Sequence, residues 1–472
     1  MENVVSDYPL TINGRAVTTA ESMAVNNPAT GTRYADAPVC TPENLDAAMR
    51  SAQEAQIGWA RDDAQRKHAL QQCAAILTAN SERIASLLTA EQGKPLTEAL
   101  REVAAAAAWY GYYASLDQPV QVIQDDAAAR IEVHHKPLGV VAAITPWNYP
   151  ILLSSWKIAP ALRAGNSVVL KPSPFTPLTS LLIGQLFAEV LPAGVLNVIS
   201  GPNELGPLIT AHPTPRKISF TGSTQTGKQV AASAATTLKR LTLELGGNDA
   251  AIVLDDVDPD TIAEKLFWAA FINNGQTCIA IKRLYVPRSA YGKYVDALAA
   301  IADQAVVGDG SAPATQLGPL NNEPQRARVA ELVNEAVQSG AKIATDSTPL
   351  DRGTGYFHRP TILADVPDHA RVVAEEQFGP ALPVLAYDSI DEAIVRANST
   401  DFGLAGSVWG SDIDLAQKIA DRLECGTAWV NTHAAPSPRS PFTGVKDSGL
   451  GVENGPWGLE SYTQLQTQYL AR

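Results

Sequence analysis

Three short stretches of the sequence place reactive side chains beside glycine or proline. The stretch "NNGQTC" ends at Cys278, "ELGGND" begins with Glu244, and "TPWNYP" holds Asn148 between two prolines. A thiolate is a nucleophile, a buried carboxylate can act as general base for water, and an amide held in place can stabilise an oxyanion. These residues could therefore supply a nucleophile, a base and an oxyanion donor.

Each of the three residues also has a structural interpretation. A lone cysteine in a cytosolic chain is more often a small buried side chain, and Asn148 could simply cap a turn. No histidine lies within a dozen residues of Cys278, so nothing in the sequence supports a Cys/His pair, although such partners meet only in the fold. The stretch around Cys278 alone leaves open whether the thiol is a nucleophile, a metal ligand or a core residue.

The composition bounds the class of protein. The chain has 472 residues, 45% of them apolar and 18% charged, which is typical of a folded chain of two or three domains. A formal charge of −13 disfavours nucleic acid and anionic membranes as partners. No apolar run reaches the roughly 20 residues of a membrane span, and the acidic N-terminus is unlike a secretory signal. The four cysteines lack CxxC spacing, so we expect a cytoplasmic protein without disulfides or a metal site.

The elements that must position these residues follow from the apolar pattern. From about residue 140, short apolar runs such as "VVAAIT", "SVVL", "VLNVI", "KISF" and "AAIVL" alternate with helical stretches. This alternation predicts βαβ units with a parallel sheet covered on both faces. A second α/β unit begins near residue 284, and the alternating segment 130–140 predicts a projecting hairpin.

The predicted elements bring the chemistry to one edge of a sheet. Glu244 ends a predicted strand and precedes two glycines, and Asn148 directly follows the strand "VVAAIT". In open α/β sheets, ligands bind outside the carboxyl ends of the strands. The helical run "TIAEKLFWAAFIN" leads into "NGQTC", which places Cys278 just past a helix end.

A turn at residues 222–229, "GSTQTGKQ", matches the first part of a P-loop. Gln229 stands where a P-loop needs a Ser or Thr hydroxyl for Mg²⁺, which disfavours an NTPase built on Lys228. A glycine turn that opens a helix is still a good phosphate site, because free N–H groups and the helix dipole point at it. A plain tight turn is the remaining alternative.

Taken in order, the motifs resemble those of the aldehyde dehydrogenase superfamily. They run from "PLGVVAAITPWNYP" through "KPSPFTP", "SFTGST", "ELGGND", "GQTC" and "EEQFGP" to "PFTGVKDSGLGVENG", and so cover nearly the whole chain. The resemblance implies an α/β protein with two parallel-sheet α/β domains, one for cofactor binding and one catalytic, and a small β oligomerisation element. A non-catalytic protein that keeps the fold is disfavoured by the intact Cys278, Glu244 and Asn148.

The resemblance also implies domain boundaries and an assembly. The NAD(P)-binding domain would comprise residues 1–118 and 138–246, and the catalytic domain residues 247–447. Residues 119–137 and 448–472 would form the oligomerisation element. Family members are dimers or pairs of dimers, so a homodimer or homotetramer is expected.

By the same resemblance, the chain oxidises an aldehyde to its carboxylate with NAD(P)⁺. Cys278 would attack the aldehyde carbon, and the Asn148 amide and the Cys278 N–H would hold the oxyanion. After hydride transfer, water activated by Glu244 would hydrolyse the thioester. Family members that transfer the acyl group to coenzyme A typically lack this glutamate, so a hydrolytic, non-CoA-acylating enzyme is implied.

The residues expected around the cofactor come from matching motifs. They are Trp147, Lys171, Gly222, Ser223, Glu376 and Phe378. Where many NAD-preferring relatives have a glutamate three residues after the lysine, this chain has Pro174. A carboxylate there would bond the ribose hydroxyls and repel a 2′-phosphate. NADP⁺ use therefore becomes possible, although NAD⁺ is the expected cofactor.

The family pattern places four apolar residues along a substrate tunnel, namely Tyr149, Trp156, Ile279 and Phe442. Their side chains suit a medium-sized aliphatic or aromatic aldehyde. Arg439 could instead hold the carboxylate of a semialdehyde, but a surface salt bridge is the simpler interpretation. "PFTG" replaces the common "PFGG", and the effect of Thr443 on the tunnel cannot be deduced from the sequence.

Overall fold

The computed structural model describes residues 8–348, 350 and 353–472. The first 120 or so residues contain two strand pairs followed by helices. These elements are β1 (Leu10–Ile12), β2 (Arg15–Val17), β3 (Ser22–Asn27), β4 (Thr32–Pro38), α1 (Pro42–Trp59), α2 (Asp63–Ala79), α3 (Ser81–Gln92) and α4 (Leu96–Ser115). The hairpin strands β5 (Gln121–Asp125) and β6 (Ala129–Pro137) follow.

Strands and helices then alternate through the first βαβ region, as the sequence predicts. The elements are β7 (Val140–Ile144), α5 (Pro150–Arg163), β8 (Ser167–Lys171), α6 (Leu178–Phe187), β9 (Leu196–Val198), α7 (Leu205–Ala211), β10 (Lys217–Thr221), α8 (Thr224–Ala235) and β11 (Arg240–Glu244). The strands β7 to β11 are parallel neighbours in an eight-stranded sheet of order β2-β1-β9-β8-β7-β10-β11-β21. Only its outer strands β1, β2 and β21 (Gly449–Leu450) pair antiparallel.

The second α/β region surrounds a seven-stranded sheet of order β14-β15-β16-β13-β12-β18-β19. Its elements are β12 (Asp249–Val253), α9 (Pro259–Phe271), β13 (Ile281–Pro287), α10 (Tyr291–Gln304), α11 (Glu323–Gln338), β14 (Lys342–Ile343), β15 (Thr361–Ala364), α12 (Arg371–Ala374), β16 (Ala381–Tyr387), α13 (Ile390–Asn398), β17 (Phe402–Gly403), β18 (Ala405–Trp409), α14 (Ile413–Ala420), β19 (Thr427–Val430) and β20 (Val445–Lys446).

Successive residues of β12 enter different cores. Ala250 and Ile252 pack with α11 to α14, whereas Ala251 and Val253 pack with α9 and α10. A parallel sheet with helices on both faces buries both sides of each strand, which explains the continuous apolar run "AAIVL". The predicted α/β class with parallel sheets is confirmed.

A third, smaller sheet carries the predicted hairpin. Strand β6 pairs antiparallel with β5 and with β22 (Thr463–Ala471), so the C-terminal strand joins the hairpin. The remaining helix, α15 (Gly455–Glu460), precedes β22. This sheet exposes large apolar side chains, including Ile123, Leu465 and Tyr469, at 64%, 68% and 65% of their surface.

Several elements have no counterpart among the sequence predictions. Strands β1 to β4 are short, and helices α1 to α3 precede the regular alternation from which the sheet was predicted. The strand Gly449–Leu450 lies in the range predicted for the oligomerisation element, yet it pairs with β11 in the large sheet. Within the described ranges, no helix combines the length and apolar character of a membrane span.

Candidate active site

The order of the eight-stranded sheet creates a binding edge. From β7, the chain proceeds through β8 and β9 on one side and then through β10 and β11 on the other. Ligands of open α/β sheets bind outside the carboxyl ends of the strands at such a reversal. Asn148 follows β7, Ser223 follows β10, and Glu244 is the last residue of β11. Sequence-distant polar groups therefore converge at one edge.

The loop before Cys278 has a backbone that few residues can adopt. Asn273, Asn274 and Gly275 all have positive φ, of 50°, 55° and 72°. Asparagine and glycine are the residues that tolerate this left-handed conformation best, which explains the sequence "NNG". A side chain at Gly275 would also meet the Gly379 carbonyl at 2.3 Å. The loop thus turns the chain sharply from α9 towards Cys278.

Side-chain amides hold this loop in place. Gln276 accepts a hydrogen bond from the Asn321 N–H at 2.8 Å and donates to the Asn273 carbonyl at 2.9 Å. The Asn274 amide donates to the Gly318 carbonyl at 2.8 Å. These hydrogen bonds fix the loop that presents Cys278, while the side-chain oxygens of Asn273 and Asn274 have no partner among the described residues.

Cys278 is half-buried and lies in the wall of a cavity. Burial raises the pKa of its thiol to about 12, while the nearby Lys282 ammonium lowers this pKa. The carboxylates of Glu376, Asp249 and Glu244 raise it further. The thiol is therefore protonated in the ligand-free protein, and a nucleophilic role requires that the proton be removed or the charge compensated.

Asn148 lies in the same cavity wall as Cys278. One N–H of its amide donates to the Gln276 carbonyl at 3.0 Å, which leaves its second N–H for another acceptor. Its own carbonyl accepts from the buried Lys94 ammonium at 2.9 Å and from the Asn273 amide at 3.0 Å. Asn148 is thus tied to the cysteine loop from both its backbone and its side chain.

Glu244 is buried, with 3% of its surface exposed, and both carboxyl oxygens lack a hydrogen-bond partner among the described residues. Burial raises its pKa well above the ordinary value, and the negative charge of Glu453 raises it further. Lys157 acts in the opposite direction. An unpaired buried carboxyl group is costly, so it marks a site where function outweighs stability.

Behind Glu244 lies a buried polar network. The Lys157 ammonium donates to a Glu453 carboxylate oxygen at 2.9 Å and to the Ser219 hydroxyl at 3.1 Å. The Ser219 hydroxyl donates to the same oxygen at 2.9 Å. Glu453 and Lys157 act on the pKa of Glu244 through their charges, so the network sets the electrostatic environment of that carboxyl group.

The cavity has a volume of about 490 Å³ and collects most residues predicted to bind the cofactor. Trp147, Gly222, Ser223, Glu376 and Phe378 all line it. The rings of Trp147 and Phe378 meet edge to face, with centroids 5.2 Å apart. Aromatic walls beside a helix N-terminus suit a flat ring linked to a pyrophosphate.

Gly222 and Ser223 connect β10 to α8. Ser223 caps this helix, because its hydroxyl accepts from the Thr226 N–H at 3.3 Å. A side chain at Gly222 would meet the Phe220 ring at 2.5 Å, so the backbone must stay bare there. Lys228, the residue that a P-loop would aim at phosphate, is exposed and pairs with Asp447 at 2.6 Å. The turn is suited to a phosphate without a P-loop lysine.

Lys171 ends β8 at the same sheet edge, beside the end of β7. Its ammonium is buried and donates to the Pro172 carbonyl at 3.1 Å. Burial lowers its pKa to about 8, and the negative charge of Glu204 acts against this shift. A buried lysine at a strand end is available to a hydroxyl or phosphate group of a ligand.

Two of the predicted substrate residues contact each other, and a third contacts the cysteine loop. The rings of Trp156 and Phe442 meet at 5.2 Å, and the Tyr149 hydroxyl lies 3.3 Å from the Thr277 hydroxyl. Ile279, directly after the cysteine, is buried. The Lys94 ammonium lies 3.7 Å from the centre of the Tyr149 ring.

The structure shows the surroundings of Arg439 and Thr443, whose roles the sequence left open. Arg439 is exposed and forms no ion pair with the described residues, so the predicted surface salt bridge is not formed there. The Thr443 hydroxyl donates to the Gly451 carbonyl at 2.7 Å and so closes the loop between residues 443 and 451.

Sequence reasoning missed several residues of the site, including Lys94, Lys157, Lys282, Gln325 and Glu453. Lys157 lies in the largely apolar helix α5, and Lys282 lies beside Arg283 in the buried strand β13. A charged residue within a buried run is uncommon, and this signal could have identified both lysines. Their partners are far along the chain and could not be deduced in the same way.

Comparisons with known proteins agree with this geometry. Residues 16–468 match the aldehyde dehydrogenase family. The phenylacetaldehyde dehydrogenase of Pseudomonas fluorescens is 38% identical over 98% of this chain and 96% of its own length. A solved E. coli NADP dependent enzyme is 35% identical, with a TM-score of 0.96 over 99% of this chain and 98% of that one. Staphylococcus aureus betaine aldehyde dehydrogenase in complex with NAD⁺ is 32% identical, with a TM-score of 0.95 over 99% of this chain and 95% of that one. The chain belongs to the aldehyde dehydrogenase family.

Proposed function

We propose that this enzyme oxidises an aldehyde to its acid through a covalent intermediate on Cys278, which Glu244 helps to hydrolyse. The observation that carries the proposal is the convergence of a thiol, an amide N–H and an unpaired buried carboxyl group at one cavity. Cys278 and Asn148 share the cavity wall, and Leu245, next to Glu244, belongs to it as well. These groups match the steps that aldehyde oxidation requires.

Acylation begins when the Cys278 thiol releases its proton to solvent and its sulfur bonds to the aldehyde carbon. The carbonyl oxygen gains negative charge, which the free Asn148 N–H and the Cys278 backbone N–H can stabilise. The cofactor, held by the residues of the 490 Å³ cavity, supplies the hydride acceptor for the oxidation. The acyl group then remains on the sulfur as a thioester.

Deacylation requires water as the second nucleophile. Glu244 in its ionised form accepts a proton from that water, and its raised pKa makes it a stronger base than an exposed carboxylate. The water oxygen bonds to the thioester carbon and the C–S bond breaks. The carboxylic acid leaves, and the thiol is regenerated.

The substrate proposal rests on the apolar character of the residues that the family pattern places along the tunnel. Trp156, Phe442 and Ile279 are buried apolar side chains, which suit a medium-sized aliphatic or aromatic aldehyde. The similarity to a phenylacetaldehyde dehydrogenase supports the same class. Arg439, which has no ionic partner among the described residues, supports the alternative of an anionic aldehyde.

A panel of aldehydes tests the function and the substrate class together. We expect reduced nicotinamide to form, measured by absorbance, with the highest kcat/KM for phenylacetaldehyde or a medium-chain aliphatic aldehyde. Apolar side chains discriminate by roughly 1–3 kcal/mol per methylene group, so a ranking of 10-fold or more is expected. A much higher kcat/KM for succinic semialdehyde would contradict the apolar class and favour Arg439 as a carboxylate partner.

For the cofactor, we propose a preference for NAD⁺ even though Pro174 removes the usual carboxylate. Glu204 lies in the loop that follows β9. The start of this loop runs beside the end of β8, because the Ile199 N–H donates to the Leu170 carbonyl, next to Lys171. Glu204 is exposed and close enough to Lys171 to act on its pKa. Its carboxylate could bond a ribose hydroxyl and repel a 2′-phosphate in place of the missing glutamate.

Removal of this carboxylate should relax the cofactor preference. We expect Glu204→Gln to raise kcat/KM for NADP⁺ by about fivefold to tenfold, since one like-charge contact near the surface is worth about 1 kcal/mol. Steady-state kinetics with both cofactors measures the effect. Glu189→Gln, an exposed carboxylate beyond the far end of α6, is the matched control. An initial NADP⁺ preference that Glu204→Gln leaves unchanged would contradict the proposal.

We also propose that the small sheet and the C-terminal strand mediate a homodimer or homotetramer, with the division into domains at the predicted boundaries except that Gly449–Leu450 belongs to the eight-stranded sheet. Support comes from the exposed Ile123, Leu465 and Tyr469 of that sheet, since monomers rarely leave large apolar residues clustered at the surface. Light scattering after gel filtration measures the mass in solution. A monomer at micromolar concentration would contradict this assembly.

A further inference from the structure

Lys282 is a buried cation in strand β13, where it precedes the equally buried Arg283. Only 3% of its surface is exposed, and all seven residues of β13 are buried. Such strands normally carry apolar residues, and lysine is seldom buried unless its charge is paired. The contacts of its ammonium group show what this exception is for.

The ammonium group makes three polar contacts and also lies 6.0 Å from the centre of the Phe378 ring. It donates to the Thr277 carbonyl at 2.9 Å and to the Cys278 carbonyl at 2.6 Å. It also pairs with a Glu376 carboxylate oxygen at 3.3 Å. Lys282 therefore joins the cysteine loop to the segment that lines the cofactor cavity.

The Thr277 carbonyl and the Cys278 N–H belong to the same peptide group. In a trans peptide these two groups point in opposite directions, so a partner that fixes the carbonyl also fixes the N–H. A cation at the carbonyl draws electron density from the amide and makes its N–H a stronger donor. Lys282 can thus act on the oxyanion donor without touching the substrate.

We propose that Lys282 is a positioning residue, which orients and polarises the Thr277–Cys278 peptide and couples it to Glu376. The assignment rests on the proposed function, in which the Cys278 N–H holds the oxyanion. The Gln377 amide, which donates to the Lys282 carbonyl at 3.2 Å, adds a second link between β13 and the Glu376 segment. One side chain, Lys282, then contacts both the predicted cofactor residue Glu376 and the peptide of the proposed nucleophile Cys278.

The charge of Lys282 also acts on the thiol. Among the groups that face Cys278, it is the one that lowers the thiol pKa. The groups that act against Lys282 and raise the thiol pKa are the carboxylates of Glu376, Asp249 and Glu244. The Tyr149 hydroxyl also interacts with the thiol. Loss of the cation should therefore make the thiolate scarcer at any pH below the thiol pKa.

Alkylation of the ligand-free protein by iodoacetamide measures this effect directly, because only the thiolate reacts. Rates are compared between pH 6 and pH 10. We expect the plot of alkylation rate against pH for Lys282→Met to shift by about one pH unit towards higher pH. Alkylation at pH 8 should then be about tenfold slower than in the wild type. Lys282→Arg, which keeps the cation, should remain close to the wild-type line. Lys265→Met removes an exposed lysine of α9 and should change nothing.

Kinetics supplies the second readout. With its peptide donor misaligned, Lys282→Met should lose about tenfold to a hundredfold in kcat, at most the lower end of the roughly 10²–10³-fold loss found when an oxyanion donor is removed. Lys282→Arg should recover part of this loss. Lys282→Gln, which keeps an N–H donor but no charge, provides the alkylation test if Lys282→Met does not fold.

A purely structural lysine would give a different pattern. The proposal would be overturned if the wild type and the uncharged variants had the same pH dependence of the alkylation rate. The variants would then differ from the wild type only by a lower melting temperature. The alkylation test needs neither aldehyde nor cofactor. If the wild-type protein oxidised no aldehyde, the proposed function would fail, while alkylation would still decide whether Lys282 acts on Cys278.

Discussion

Replacement of Cys278 by alanine is expected to abolish aldehyde-dependent reduction of NAD(P)⁺. No other thiol of the described residues lines the cavity, so no side chain is placed to form the covalent intermediate. We expect a fall of at least about 10⁴-fold in kcat, comparable to the removal of a nucleophile in other enzymes with covalent intermediates. Stopped-flow absorbance of reduced nicotinamide would measure it.

The same variant should still bind the cofactor. The predicted cofactor residues Gly222, Glu376 and Phe378 remain unchanged, so calorimetry should give an NAD⁺ Kd within about twofold of the wild type. Cys425→Ala is the matched control, because this half-buried thiol lies away from the cavity and should be dispensable. Turnover by Cys278→Ala would remove Cys278 from the mechanism.

Replacement of Glu244 by glutamine should separate the two halves of the reaction. An amide cannot accept a proton from water, whereas acylation of Cys278 does not need this carboxyl group as a base. We expect a pre-steady-state burst of reduced nicotinamide followed by turnover that is slower by about 10²-fold or more, which is typical of a lost general base. Rapid mixing with excess substrate would show both phases. Unchanged steady-state turnover would exclude Glu244 as the base.

The pH dependence has a definite sign. Because the pKa of Glu244 is raised, wild-type deacylation should rise with pH as the carboxyl group ionises, and Glu244→Gln should lose that rise. The free energy of unfolding should change with pH in the opposite direction, so that the contribution of Glu244 falls as pH rises. The raised pKa contributes stability below the unfolded-state value of about 4.3, and this is lost as pH rises through the folded-state pKa. Glu264→Gln, an exposed carboxylate of α9, controls for the change in charge.

Much of the site could be predicted from the sequence because its signals are local. A strand followed at once by Asn148 or Glu244 places these groups at the carboxyl edge of a parallel sheet, and the structure has both at that edge. The turn at Gly222 opens a helix, as predicted. The helical run before Cys278 placed the thiol just past a helix end, and the structure adds that Asn273, Asn274 and Gly275 are all left-handed.

The N-terminal strands and first helices were not predicted for an equally physical reason. Strand β1 has three residues, and it is stabilised by pairing with β9, almost two hundred residues later in the chain. Such a short strand has too few positions to show a period of two. Its existence depends on the edge that another part of the chain offers.

The sequence by itself determined the chemical groups, their placement at strand ends and the parallel α/β class. These features follow from neighbouring residues, which determine strands, turns and helix starts. The tertiary structure alone decided the electrostatics of the site. Glu453 lies 296 residues from Lys157, and Glu376 lies far along the chain from Lys282, yet each pair meets in the folded protein. Burial of Glu244 and Cys278 themselves is the largest cause of their raised pKa values, and the neighbouring charges add to it or oppose it. Desolvation and Coulomb energy depend on distance in space and not on distance along the chain.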